Sequence, residues 1–171
     1  MYLFSYGIEV ITKILARFLT ILMWLIVVTV VWQVFTRFLT DSPSTFTDEL
    51  SRYLMIWIGV LGGAYTFGLK RHLAIELLIT KVKQKEMLAI FINLMVMLFS
   101  SIVFIYGGLN VSSRALEFNQ ISPSISLFGS SLKMGYVYLV APLSGFIINL
   151  YAVYDITKLT RTIVNNKKAD G

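Results

Sequence analysis

The charged residues whose spacing would let them act together lie close to one another. Arg37, Asp48, Glu49 and Arg52 bring two carboxylates and two guanidiniums into a 16-residue stretch. On a helix, Arg52 follows Asp48 by four positions and Glu49 by three, so it shares a face with both. Such a group suits ion pairing and the start of a helix, where the dipole favours acids. Thr45 with Asp48 fits a capping box at that start. Catalysis would need a nucleophile beside a base, and none is suggested. The single histidine, His72, precedes Glu76 by four residues and reads as a loop-fixing group. No His/Asp/Glu cluster has metal-ligand spacing. Without cysteine, disulfide, thiolate-metal and thiol redox chemistry are excluded.

Four apolar runs must carry these groups. They span about 18–36, 50–69, 87–113 and 134–154, the second being continuously apolar from 53. At about 1.5 Å per residue, roughly 20 residues cross a hydrocarbon core of ~30 Å. Backbone in lipid must satisfy its own hydrogen bonds, so the runs read as helices. The chain is 57% hydrophobic and 14% charged, with mean hydropathy +0.76, which excludes disorder and argues against an ordinary soluble domain. The expectation is an all-α integral membrane protein: one membrane domain over 1–171, four transmembrane helices in up-down topology, loops short to moderate.

Charge placement gives an orientation. With the N-terminus inside, eleven of the 15 basic residues fall on inner segments and four (Arg37, Arg52, Arg114, Lys133) on outer ones. This follows the positive-inside rule with both termini cytoplasmic. The net charge of +6 then records topology and contact with anionic lipid, not nucleic acid. The first run, too long for a signal-peptide core and lacking a small-x-small site, reads as a retained anchor.

Between the spans, 1–17 alternates apolar and polar residues and suggests an amphipathic helix in the interface; an extension of the first span is the alternative. The segment 114–133 carries Ile121, Ile125, Leu127 and Phe128 around Ser122-Pro123-Ser124, too apolar for a free loop, and should fold back onto the bundle or meet another subunit. The tail 155–171 is polar and should fray beyond Val164.

Several four-helix membrane functions can be tested against composition. A haem b bundle needs paired histidines. A small proton-coupled exporter needs an acid at mid-membrane, yet all nine acids lie at or beyond the span ends. What remains is packing. Gly59 and Gly63 form a GxxxG pair, with Gly62 beside it, and Ala141 and Gly145 form a small-xxx-small pair around Pro142. Their ordinary role is packing within the bundle; docking of a partner's helices is the sharper one. Pro142 should interrupt the last span. Gln33, Asn93, Asn110 and Asn149 could bond between helices.

These pieces, in order, resemble one family. Arg37-Phe38-Leu39 is followed by Phe46-Thr-Asp48-Glu49-Leu-Ser-Arg52. Next comes Ile56-Trp57-Ile-Gly59-Val-Leu-Gly62-Gly63, and then His72-Leu-Ala-Ile-Glu76. The stretch is similar to the small membrane subunit, the Q or DctQ-type component, of tripartite ATP-independent periplasmic (TRAP) transporters. Phe46 stands where that family often has Trp, and Glu76 where it often has Asp. Tyr138-Leu-Val-Ala-Pro142 resembles its proline-bearing last span. The resemblance implies a bacterial inner-membrane scaffold subunit with no catalytic role or cofactor. Its partners would be a large elevator-type (DctM-type) membrane subunit, which holds the sodium and substrate sites, and a periplasmic binding protein that it helps to dock. The cargo would be an organic acid of the C4-dicarboxylate or sialic acid class. A stand-alone carrier, and more remotely a membrane cofactor or enzyme subunit, are the alternatives.

Overall fold

The computed structural model describes residues 2–39, 44–69, 85–127 and 130–169. Among the described residues the chain is helical apart from one short β-ribbon. The first helix, α1 (Tyr2–Leu39), runs 38 residues without a break. The expected separate interfacial helix over 1–17 is therefore corrected to an extension of the same helix. Neither proline nor glycine interrupts the chain near Arg17. Leu15 is buried against Leu61 and Val140, with Leu19 packed on the same cluster, so this stretch belongs to the bundle.

Helix α2 (Thr45–Gly68) runs back along α1: Gln33 meets Asp48, and Leu15 meets Leu61. Next along the chain come α3 (Lys85–Phe99), a π-helical segment (Ser100–Gly107) and α4 (Gly108–Glu117), which together form one rod. The wide turns of that segment were not foreseen. The last rod is α5 (Met134–Tyr138) and α6 (Val140–Ala169). The ladder between them is interrupted at Leu139, because Pro142 has no N–H to offer the Tyr138 carbonyl. The expected fraying beyond Val164 is not seen; α6 remains helical to Ala169.

Among the described residues, three helical rods are long and apolar enough to cross a membrane: Ser5–Leu39, Glu86–Glu117 and Met134–Asn165, of 35, 32 and 32 residues. Helix α2 is 24 residues long, but Arg52, its glycines and its Tyr and Trp residues dilute its hydropathy.

The segment between α4 and α5 becomes a two-stranded antiparallel ribbon, β1 (Ile121–Leu127) with β2 (Ser130–Lys133). Helix α4 stops in a left-handed turn at Asn119, φ 46°, a conformation asparagine tolerates. There the Gln120 N–H reaches the Ala115 carbonyl at 2.9 Å and the Asn119 N–H reaches Leu116 at 3.1 Å, the paired bonds of a Schellman stop. The pairing register slips between Ile121 and Ser126, which accommodates Pro123, a residue without a ladder donor. Ile125 packs into a cluster with Tyr53 and Val137, bordered by Leu50, Trp57, Leu132 and Met134. The segment thus folds back on the bundle, as its apolar content demands.

The helices stand in a row, α1 beside α2, α2 beside α6, and α6 beside α3 with its π segment; α1 touches α6 only lightly. The ribbon covers the end of the row where α2 begins.

Candidate functional site

The start of α2 carries the charged group. Asp48 holds Arg52 through Oδ2 at 2.7 Å and accepts the Gln33 side-chain amide on Oδ1 at 2.9 Å. One carboxylate thus ties α1 to α2 and pairs along its own helix. Gln33, Val34, Arg37, Ser44, Thr45 and Asp48 line a cleft of about 540 Å³ there. The capping role expected of this group is corrected. Ser44, not Thr45, occupies the N-cap, the helix begins at Thr45 rather than near 50, and no side chain caps it. Asp48 and Glu49 are engaged elsewhere.

Glu49 turns away from Arg52. It accepts the Ser124 backbone N–H at 2.9 Å and the Tyr53 hydroxyl. Burial works to raise the Glu49 pKa, but hydrogen bonds from Tyr53, Ser122 and Ser124 outweigh it and hold the carboxyl below its ordinary value. Met134 Sδ lies 2.9 Å from the same Tyr53 hydroxyl. One turn further along, Trp57 donates its indole N–H to the Val137 carbonyl at 3.2 Å and meets the Phe18 ring edge-on. Tyr53, Ser122 and Ser124 escaped the sequence reading. The signal was present as the i, i+4, i+8 spacing of Glu49, Tyr53 and Trp57.

The two small-residue pairs behave differently. A β-carbon on Gly145 would lie 2.7 Å from the Phe104 Cβ, and one on Gly108 2.7 Å from the Pro142 Cδ. Ala141, Pro142 and Gly145 therefore pack inside the bundle, against the π segment and α4. On α2, a β-carbon at Gly59, Gly62 or Gly63 meets nothing within 4 Å among the described residues. Packing within the bundle, their ordinary role, is not what the structure shows for them. Gly63 also borders an apolar groove of about 280 Å³ with Phe67, Val96, Phe99, Ser100, Phe104 and Ile148.

Mid-rod polar groups stitch helices together. Ser144 donates to the Val60 carbonyl at 3.0 Å, Ser100 to Gly145 at 3.1 Å and Ser112 to Gly135 at 2.5 Å. Asn149 reaches Ser101 at 2.9 Å, whereas Asn93 bonds back to Ala89 on its own helix. The serines were not singled out beforehand; in a bilayer a small hydroxyl next to a foreign carbonyl is their common use. His72 and Glu76 lie outside the described residues, as does the turn around Asp41. Among the described residues no group of three or more His, Asp or Glu could hold a metal.

Fold and site together define a class: a helical membrane component in which several buried polar groups join helices. The family follows from comparison with known proteins. Residues 26–162 match the DctQ component of tripartite ATP-independent periplasmic transporters, and the chain belongs to that family. A Haemophilus influenzae protein, provisionally named a TRAP transporter small permease protein, is 28% identical over 132 residues, covering 77% of this chain and 76% of the relative. The sialic acid TRAP transporter small permease protein SiaQ of Vibrio cholerae is 28% identical over 112 residues, covering 64% of this chain and 65% of the relative. The chain is a TRAP small permease component of the bacterial inner membrane and not an enzyme. The family implies association with a large membrane subunit and a periplasmic binding protein.

Proposed function

We propose that this chain is the static scaffold subunit of a sodium-driven importer of organic acids. A large membrane subunit would hold the sodium and substrate sites, and a periplasmic binding protein would deliver the cargo. The ribbon end faces the periplasm and both termini face the cytoplasm, with four spans between; the distribution of basic residues supports this orientation. The reading rests on one observation above others. Among the described residues Gly59, Gly62 and Gly63 on α2 are open, while Gly68 at the end of α2, Gly108, Gly135 and Gly145 would each clash with a neighbour on gaining a β-carbon. Gly59, Gly62 and Gly63 then admit a helix of the large subunit at close range. The charged start of α2, with Arg37 and Arg52, lies where the binding protein would dock. Sialic acid is the favoured cargo, following the name of the Vibrio relative, and C4-dicarboxylates are the second choice.

The test is reconstitution. The chain alone in proteoliposomes should take up neither sialic acid nor succinate under an inward sodium gradient. Uptake should appear when the co-purifying large subunit and the binding protein are added. Sodium-driven uptake by the chain alone would refute the scaffold reading.

A further inference from the structure

Two interruptions of the helical ladder face each other. In one rod the π segment (Ser100–Gly107) replaces α-helical turns. In the antiparallel rod beside it the ladder breaks at Leu139, ahead of Pro142. They meet where Gly108 packs on Ala141 and Pro142. π-Helical turns are rare and concentrate at functional sites. Below this level, the Asn149 amide donates to Ser101 while its buried Oδ1 has no donor among the described residues. A buried acceptor left unmet costs free energy, so this packing is short of its hydrogen-bonding optimum.

Beyond the interruptions lies a unit knitted to itself. Ser112 bonds Gly135 at 2.5 Å, the Met134 N–H reaches the Gln120 carbonyl at 2.8 Å, and β1 pairs with β2. Its polar contacts with α2 run down one stripe: Glu49 to Ser124, Tyr53 beside Met134, Trp57 to Val137. Ile125 and Val137 bury against Tyr53 on the same stripe.

We propose that α4, β1, β2 and α5 form a hinged module, latched to α2 by Glu49, Tyr53 and Trp57, that turns about the π segment and the Leu139 interruption. The hinge lets the ribbon end change its angle to the row without unfolding either rod. The latch sets the resting angle, because Glu49 and Tyr53 grip the module, while Trp57 joins it through Val137 and anchors the grip on the Leu15, Leu61 and Val140 cluster below.

The chain has no cysteine, so paired spin labels can be introduced cleanly into the full chain in lipid nanodiscs. One pair, Met55→Cys with Phe118→Cys, uses two exposed sites and spans α2 and the module. A control pair, Met55→Cys with Leu94→Cys, spans α2 and α3 below the break. In the Tyr53→Phe background, which keeps the ring but removes the hydroxyl, the module pair should show a displaced population raised about ten-fold, with the control pair unchanged. Amides of Ser100–Gly107 should exchange about ten-fold faster, with those of the α3 stretch 88–97 unchanged. Glu49→Gln and Trp57→Phe should act in the same direction. An unchanged module distance in all three variants would overturn the proposal. So would equal broadening of both label pairs, since the module would then not move as a separate unit.

Discussion

Two adjacent carboxylates separate into different tasks because their side chains leave α2 on different faces. Asp48 points toward α1 and Arg52, in an exposed ion pair. Such pairs contribute little, roughly 0–1 kcal/mol. Glu49 points toward the ribbon and accepts a backbone N–H and a phenol. Its folded pKa is held below the ordinary value, so the stabilisation is present above the unfolded pKa and is lost as pH falls through the folded one. Protection of the Ser124 amide against hydrogen exchange should therefore hold steady from neutral pH down to about 5 and decline only in more acidic buffer. Glu49→Gln should abolish that acid-side decline; a wild-type decline centred near neutrality would contradict the assignment.

Among the elements, glycine placement decides which helix faces are already occupied. Gly145→Val should destabilise the chain by about 1–3 kcal/mol, because the new atoms meet Phe104 and Ile105 in a filled interface. Gly59→Val should leave the melting of the isolated chain in detergent nearly unchanged, since that site is open. If the open face receives the large subunit, the same substitution should reduce co-purification with it. The three long apolar rods were legible from hydropathy alone, because twenty-odd apolar residues have few alternatives. The fold-back of 114–133 was legible from its apolar residues. Its ribbon form was not, because Schellman stop, bulge and hairpin depend on pairing that local composition does not encode. The π segment escaped for a similar reason: serines and glycines permit wide turns without requiring them. The open face of Gly59 and Gly63 was beyond reach, since a GxxxG pattern gives spacing but not the neighbour. The N-cap was misplaced by one residue, from Ser44 to Thr45, because both can cap and only the chain path chooses.

For the whole molecule, the row order follows from the contacts, whereas its orientation across the bilayer follows from charge. Single cysteines placed at Ser5 and at Phe118 should therefore differ in access. An impermeant maleimide added to intact spheroplasts should label Phe118→Cys, and should label Ser5→Cys only after the membrane is broken. The opposite pattern would invert the orientation. In the proposed orientation most lysines and arginines would lie against anionic cytoplasmic lipid.

A palisade one helix thick has no hidden centre. A compact cluster of four helices shelters one flank of every member around a common axis. Here α2 and α6 are shielded on both sides by their neighbours, but beyond the ribbon-covered start of α2 their front and back carry exposed apolar side chains. Acyl chains or a companion's rods must complete those two broad surfaces. Ionisable side chains would accordingly be least tolerated there, and best tolerated at the two rims where water begins.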